Sequence, residues 1–257
     1  MTDPILTISN LTKRFGGNTA VSDINLEVMP RETIAIIGPN GAGKTTFYNM
    51  VSGRMTPSYG SVELEGKDIT GLPPHRISRM GVSRSFQLNN IFPEMTVQEN
   101  VEVALTALHG HSRRLFNFAS RNKAIQEEAR ELLDKLQILE LAERRAEVIS
   151  YGDKRLLEIA VVLATRPHLV LLDEPTAGMT PDETHRTTKL IRQLAGTGDY
   201  TFLITEHDMD VVFGLADRIL VMHRGENLFF GTPEEVKNHP EVRSAYLGEE
   251  EEEEASA

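Results

Sequence analysis

Short apolar runs recur along the chain between segments of helical period, and they fall into two kinds. Residues 5–9, 24–28 and 61–66 alternate apolar with polar, which predicts strands with one wet face, paired antiparallel. Residues 33–38, 168–173 and 201–205 have continuously apolar interiors, the pattern of central strands buried on both faces of a parallel sheet. Further short runs at 81–86 and 218–223 fit the same alternation of strand and helix, so the fold class is α/β. From about 87 to 164 no good strand is expected. Apolar residues there recur at helical spacing over 97–108, 125–139 and 150–164, which predicts an inserted helical subdomain.

Composition changes this picture little. The 257 residues carry a net charge of −11 and no cysteine, so a disulfide scaffold is excluded. Six acids form the run 249–254, and the remaining 32 acids against 27 bases leave a body charge of −5. An acidic body disfavours nucleic acid as the main partner, and the tail 248–257 reads as disordered. The longest stretch without charge, 33–43, has eleven residues, below the roughly 18–20 that cross a bilayer. With no apolar leader in the first residues either, the expected location is the cytoplasm.

Candidate chemistry enters after the first buried strand. Residues 38–45, GPNGAGKT, fit G-x-x-x-x-G-K-[ST] with a strand before and a helix after. Glycines at Gly38, Gly41 and Gly43 let successive backbone N–H groups curl inward onto phosphate oxygens, and the following helix adds its positive end. Lys44 is expected to reach the β- and γ-phosphates, and the Thr45 hydroxyl to ligate Mg²⁺. A second buried strand ends in Asp173 and Glu174, at the sheet edge where such folds bind ligands. Asp173 suits the Mg²⁺ shell, and Glu174 suits a water-polarising base. His207 ends the third buried strand at the same edge, where it is placed to contact a γ-phosphate. Gln87 begins the helical insertion, where an amide can sense metal or water.

Residues 149–155, ISYGDKR, open a helix that leads into the acidic strand, and they resemble the signature of ATP-binding cassette (ABC) proteins. GPNGAGKTT, Gln87, VLLDEP and His207 stand in that family's order and spacing, so the resemblance spans nearly the whole chain. It implies a P-loop ATPase with a mostly parallel core sheet, an antiparallel β subdomain and a helical subdomain. The expected division is core 1–86 with 165–247, helical subdomain 87–164 and tail 248–257. It also implies ATP and Mg²⁺ as ligands, with Thr45, Gln87 and Asp173 on the metal and Glu174, His207, Gln87 and Lys44 in catalysis. Phe15 and Val21 are assigned to the nucleotide, Phe15 as the ring that stacks on adenine. Asn40, Ala42 and Thr46 complete the cradle, and Ser150 and Gly152 serve the γ-phosphate of a second cassette joined head to tail.

Three positions depart from the family pattern: Asp153 for glutamine, Tyr151 for glycine and Thr180 for an acidic or amide residue. A charge at Asp153 is unfavourable near triphosphate unless Lys154 offsets it. Within the family, LTKRFGGNTAVSDINLEV, the stretch 67–101, SYGDKRLLEIA and GTPEEVKNHPEVRSAYLG are similar to the first ATP-binding subunit of branched-chain amino-acid importers. That resemblance implies permease subunits, a non-identical second cassette and, indirectly, a solute-binding protein, with cargo extending to amides, urea or aromatic acids. Ile91, Phe92 and Met95 are expected to be exposed and to receive a helix of the permease. Two rivals stand beside it. A soluble cassette acting on DNA or ribosomes is disfavoured by the acidic body and by the lack of a coiled-coil insertion or fused second cassette. A binding-only cassette is disfavoured by an intact Glu174 and His207.

Overall fold

The computed structural model describes residues 3–85, 91–108 and 123–244. The half-wet strands pair into a four-stranded antiparallel sheet of order β2-β1-β4-β5, made of β1 (Leu6–Phe15), β2 (Asn18–Val28), β4 (Tyr59–Leu64) and β5 (Lys67–Asp68). Ile24, Leu26 and Val28 of β2 turn to the core with a period of two, and Val21 joins them across a shift in the β1–β2 register.

The continuous apolar runs become central strands. A six-stranded sheet has the order β10-β9-β3-β8-β7-β6. Its members are β3 (Thr33–Ile37), β6 (Val82–Arg84), β7 (Leu169–Asp173), β8 (Thr201–Thr205), β9 (Arg218–His223) and β10 (Glu226–Gly231). All pairings are parallel except β9 with β10. Every residue of β3 and β8 is buried.

Alternate residues of β7 feed two cores. Val170 and Leu172 face the helical side with α3 (Val97–Leu108), α4 (Lys123–Lys135) and α5 (Tyr151–Leu163). Leu169 and Leu171 face α1 (Lys44–Val51) and the antiparallel sheet, against Phe47 and Val62. The helices α2 (Pro74–Arg79), α6 (Pro181–Gly196), α7 (Met209–Leu215), α8 (Pro233–Asn238) and α9 (Pro240–Val242), with two 3-10 turns at Leu139–Leu141 and Ala146–Val148, complete the described elements. Among the described residues no helix is long and apolar enough to cross a membrane.

Two details differ from the sequence pattern. The helix expected over 125–139 stops at Lys135, because Gln137 adopts a left-handed φ of +56° and the Ile138 N–H turns back to Leu133 O. The edge strand β10 carries no clear alternation, since three of its six residues are only half-buried.

What the topology does for the site follows from register. Thr205 at the end of β8 pairs with Ile36 of β3 on one side and with Asp173 of β7 on the other. The glycine turn after β3 and the acidic end of β7 therefore flank the end of one shared strand.

Candidate active site

The turn after β3 is held open by glycine. Gly43 stands at φ +100°, and a Cβ there would lie 2.6 Å from Ala20 O. At Gly38 a Cβ would lie 2.1 Å from Met222 O, a backbone atom of β9 that cannot swing aside. Gly38→Ala is expected to cost about 2 kcal/mol through this clash. The melting temperature should then fall by about 4–8 °C, and an unshifted melt would show that the turn yields.

The residue before α1 is Gly43, and neither a side-chain cap nor an acidic residue satisfies the first N–H groups of that helix. Uncapped donors at a positive helix end fit a phosphate chain. Lys44 is buried, and its ammonium donates to Gly38 O and, at 3.3 Å, to Pro39 O. Burial lowers its pKa from the ordinary lysine value, against the opposing pull of the Glu174 and Asp173 carboxylates, so these three charges share one neighbourhood. Asn40 and Thr45 are exposed, Thr46 is half-buried, and Ala42 is buried beneath the turn.

At the end of β7, Asp173 is fixed from two sides. Its Oδ1 accepts from the Thr205 hydroxyl at 2.7 Å, and its Oδ2 accepts from Arg84 Nη2 at 2.6 Å. Glu174 takes a left-handed φ of +48°, uncommon for a side-chain-bearing residue. Its N–H donates to Thr205 O at 3.0 Å and meets the Thr205 hydroxyl oxygen at 3.2 Å. Glu174 Oε1 lies 2.8 Å from His207 Nε2. Beside them Glu206, itself buried, accepts from the Thr176 N–H and hydroxyl and from the His207 N–H. A carboxylate on a hydrogen-bonded imidazole, next to a buried ammonium and an uncapped helix, is an arrangement suited to activating water beside a bound phosphate.

The remaining sequence candidates are distributed unevenly. Phe15 is exposed, with Lys13 Nζ 5.4 Å from its ring centroid. Val21 is fully buried, with Cγ2 3.2 Å from where a Gly43 Cβ would stand, so it packs under the turn and leaves no surface for a base. Gln87, placed on metal and catalysis by the sequence, lies outside the described residues, as does the tail 248–257. Of the three apolar docking candidates only Phe92 is exposed. Ile91 and Met95 are half-buried, and Ile91 packs onto the helical core.

The second motif starts α5. Ser150 is its N-cap, accepting from the Asp153 N–H and donating its hydroxyl to Asp153 Oδ2 at 2.8 Å. The Gly152 N–H donates to Glu183 Oε1 at 3.2 Å, and Glu183 also closes a capping box with Thr180 at the start of α6. These bonds hold the Glu183 carboxyl below its usual range, those from Thr180 contributing most. Lys154 does not offset the charge of Asp153. Neighbouring helix positions point apart, and Lys154 donates instead to Glu147 O at 2.9 Å. The cation on Asp153 is Arg186, at 3.1 Å.

Residues 21–177 match the sequence pattern of the ABC transporter family. The chain belongs to that family. Residues 226–252 of this ABC protein also match the C-terminal pattern of branched-chain amino acid ATP-binding cassette transporters. The high-affinity branched-chain amino acid transport ATP-binding protein LivG of Escherichia coli K12 is 42% identical over 254 residues, covering 97% of this chain and all of LivG. BraF of Pseudomonas aeruginosa, bearing the same description, is 42% identical with the same coverage. The crystal structure of the ADP conformation of MJ1267, an ATP-binding cassette of an ABC transporter, superposes with a TM-score of 0.84 at 31% identity, covering 96% of this chain and all of MJ1267.

In this ABC protein the contiguous motif residues were legible, whereas their supports were not. Arg84, Thr205 and Glu206 each come from the end of another strand or just beyond it. Arg84 alone left a trace: a single charge inside the short strand run 81–86.

Proposed function

We propose that this chain is the ATP-hydrolysing subunit of an importer for branched-chain amino acids or related small polar solutes such as amides, urea or aromatic acids. What carries the reading is the Glu174–His207 pair at 2.8 Å, set at the same sheet edge as the buried Lys44 and the uncapped helix α1. The names of the relatives, which are transport ATP-binding proteins along their whole length, point the same way.

The mechanism uses charge and position more than covalent chemistry. Lys44 and the N–H groups from Gly38 to Thr46 bind the phosphate chain and draw off its negative charge. Thr45 and Asp173, with Gln87, would hold Mg²⁺, a hard cation that takes hydroxyl, carboxylate and phosphate oxygens and neutralises charge on the phosphates. Glu174 accepts a proton from the attacking water, and His207 orients that carboxylate. Phe15 offers a ring face to adenine. In a head-to-tail pair, the Ser150 hydroxyl and the Gly152 N–H leave Asp153 Oδ2 and Glu183 Oε1 for the γ-phosphate held in the other cassette, so ATP bridges both chains and favours the closed pair.

Outside the nucleotide site, the reading includes a non-identical second cassette, a membrane-spanning pair of permease subunits that holds this chain on the inner face of the cell membrane, and an indirect link to a solute-binding protein. Nucleic acid is not among the partners. The core 1–86 with 165–247 binds nucleotide, and the helical part 87–164 receives the permease.

The test is purification of the intact membrane complex through a tag on this chain. Permease subunits and a second cassette are expected to come with it. Its phosphate release should rise when its solute-binding protein is added with leucine, isoleucine or valine. If urea or a short amide stimulates instead, the cargo is different; if no membrane subunit accompanies the chain, the importer reading fails.

A further inference from the structure

The acidic residue of the signature is fully engaged. Asp153 has 18% of its side chain exposed, and both of its oxygens have partners, Oδ1 with Arg186 Nη1 at 3.1 Å and Oδ2 with the Ser150 hydroxyl at 2.8 Å. Arg186 arrives from a separate element, α6, thirty-three positions along the chain. Its other nitrogen, Nη2, donates to Gln137 O beyond the end of α4. One planar guanidinium thus ties α6 to the signature helix and to the helical part together, a two-pronged geometry that a lysine does not reproduce.

Electrostatics gives this tie a purpose. A carboxylate in the first turn of a helix is favourable to that helix, yet it repels phosphate oxygens brought up to the same turn. We propose that Arg186 is the positioning residue of the signature: it cancels the charge of Asp153 and holds the carboxylate against α6, so that the Ser150 hydroxyl can turn from Asp153 Oδ2 to the triphosphate held by a second cassette. This rests on the reading that Ser150 and Gly152 serve the ATP of that second cassette. Arg186 touches no reacting atom. Its effect passes through Asp153 and Ser150.

The pair is partly exposed, 38% for Arg186 and 18% for Asp153, so its influence on the facing phosphates is open to screening by salt.

The experiment uses the membrane complex purified through this chain, carrying Arg186→Gln, Asp153→Asn or both. Arg186→Gln is expected to raise the KM for ATP about tenfold, within the usual range of coupling between sites, while kcat changes far less. The defect should shrink as NaCl is raised. Adding Asp153→Asn to Arg186→Gln should return KM to that of Asp153→Asn alone, because no charge is then left to cancel. Arg186→Lys should rescue only in part. An unchanged KM in Arg186→Gln overturns the proposal, and so does a defect that neither salt nor Asp153→Asn relieves, which would mark a purely structural tie. Should Arg186→Gln alone fail to fold, the comparison of Asp153→Asn with and without Arg186→Gln decides, and equal KM values are required. Binding of a fluorescent ATP analogue by the isolated chain uses only its own cradle and separates the two claims. If the wild-type chain fails to bind it, the functional reading itself falls; if it binds and KM never moves, only the role of Arg186 falls.

Discussion

Glu174→Gln is expected to lower kcat for ATP hydrolysis by about 10²–10⁴-fold, the range typical for loss of a general base. ATP binding should stay within a few-fold of wild type, because the cradle from Gly38 to Thr46 does not involve this side chain. The amide keeps the size of the carboxylate and can still pair with His207 Nε2, now 2.8 Å from Glu174 Oε1. Its backbone demand is also unchanged, since either residue must hold φ near +48° with the N–H on Thr205 O. The fold is therefore preserved and the lost function is proton acceptance. Phosphate release measured beside nucleotide binding and a thermal melt checks all three statements. Equal turnover of the two proteins would sink the assignment of Glu174 and revive a cassette that clamps ATP without cleaving it.

Arg84→Met is expected to destabilise the protein by about 3 kcal/mol, the lower end for stripping one member from a buried ion pair. Arg84 has 6% of its side chain exposed. Besides Asp173 Oδ2 it bonds Asn49 Oδ1 at 2.8 Å and Ser52 Oγ at 3.1 Å on and just past α1, and its guanidinium carbon lies 5.4 Å from the Tyr48 ring centroid. Methionine fills part of the volume but leaves the Asp173 carboxylate, 21% exposed, with Thr205 as its remaining side-chain partner. For a chain of this size the loss corresponds to a melting temperature lower by about 6–12 °C. Adding Asp173→Asn should recover part of it, because the uncompensated charge is then gone. Calorimetry of the two variants reads the result, and a melt for Arg84→Met within the error of wild type would contradict it.

The two variants mark the boundary between what the chain displays in order and what folding alone assembles. Strands β3 and β8 were readable because both faces are covered, so all their positions apart from terminal threonines are apolar. Strand β10 was not, because an edge strand answers to weaker demands. Likewise the cradle is one continuous stretch, 38–46, whose glycine spacing is dictated by backbone geometry, and Asp173, Glu174 and His207 stand where apolar runs stop. Arg84 and Thr205 act through side chains from strands distant in sequence, and no local pattern announces such a meeting. The charge on Asp153 shows the same limit. Its sequence neighbour Lys154 was the natural candidate, but helical geometry turns adjacent residues about 100° apart, and the partner came from another helix.

The hydroxyl of Thr205 has a single hydrogen, given to Asp173, while one of its lone pairs faces the Glu174 N–H. Asp173 and Glu174, the acids proposed for metal and for water, thus hang from a common peg. Losing that oxygen, as in an isosteric valine, unmoors both at once, and energies measured for changes at positions 173 and 174 cannot be summed as if they came from separate residues.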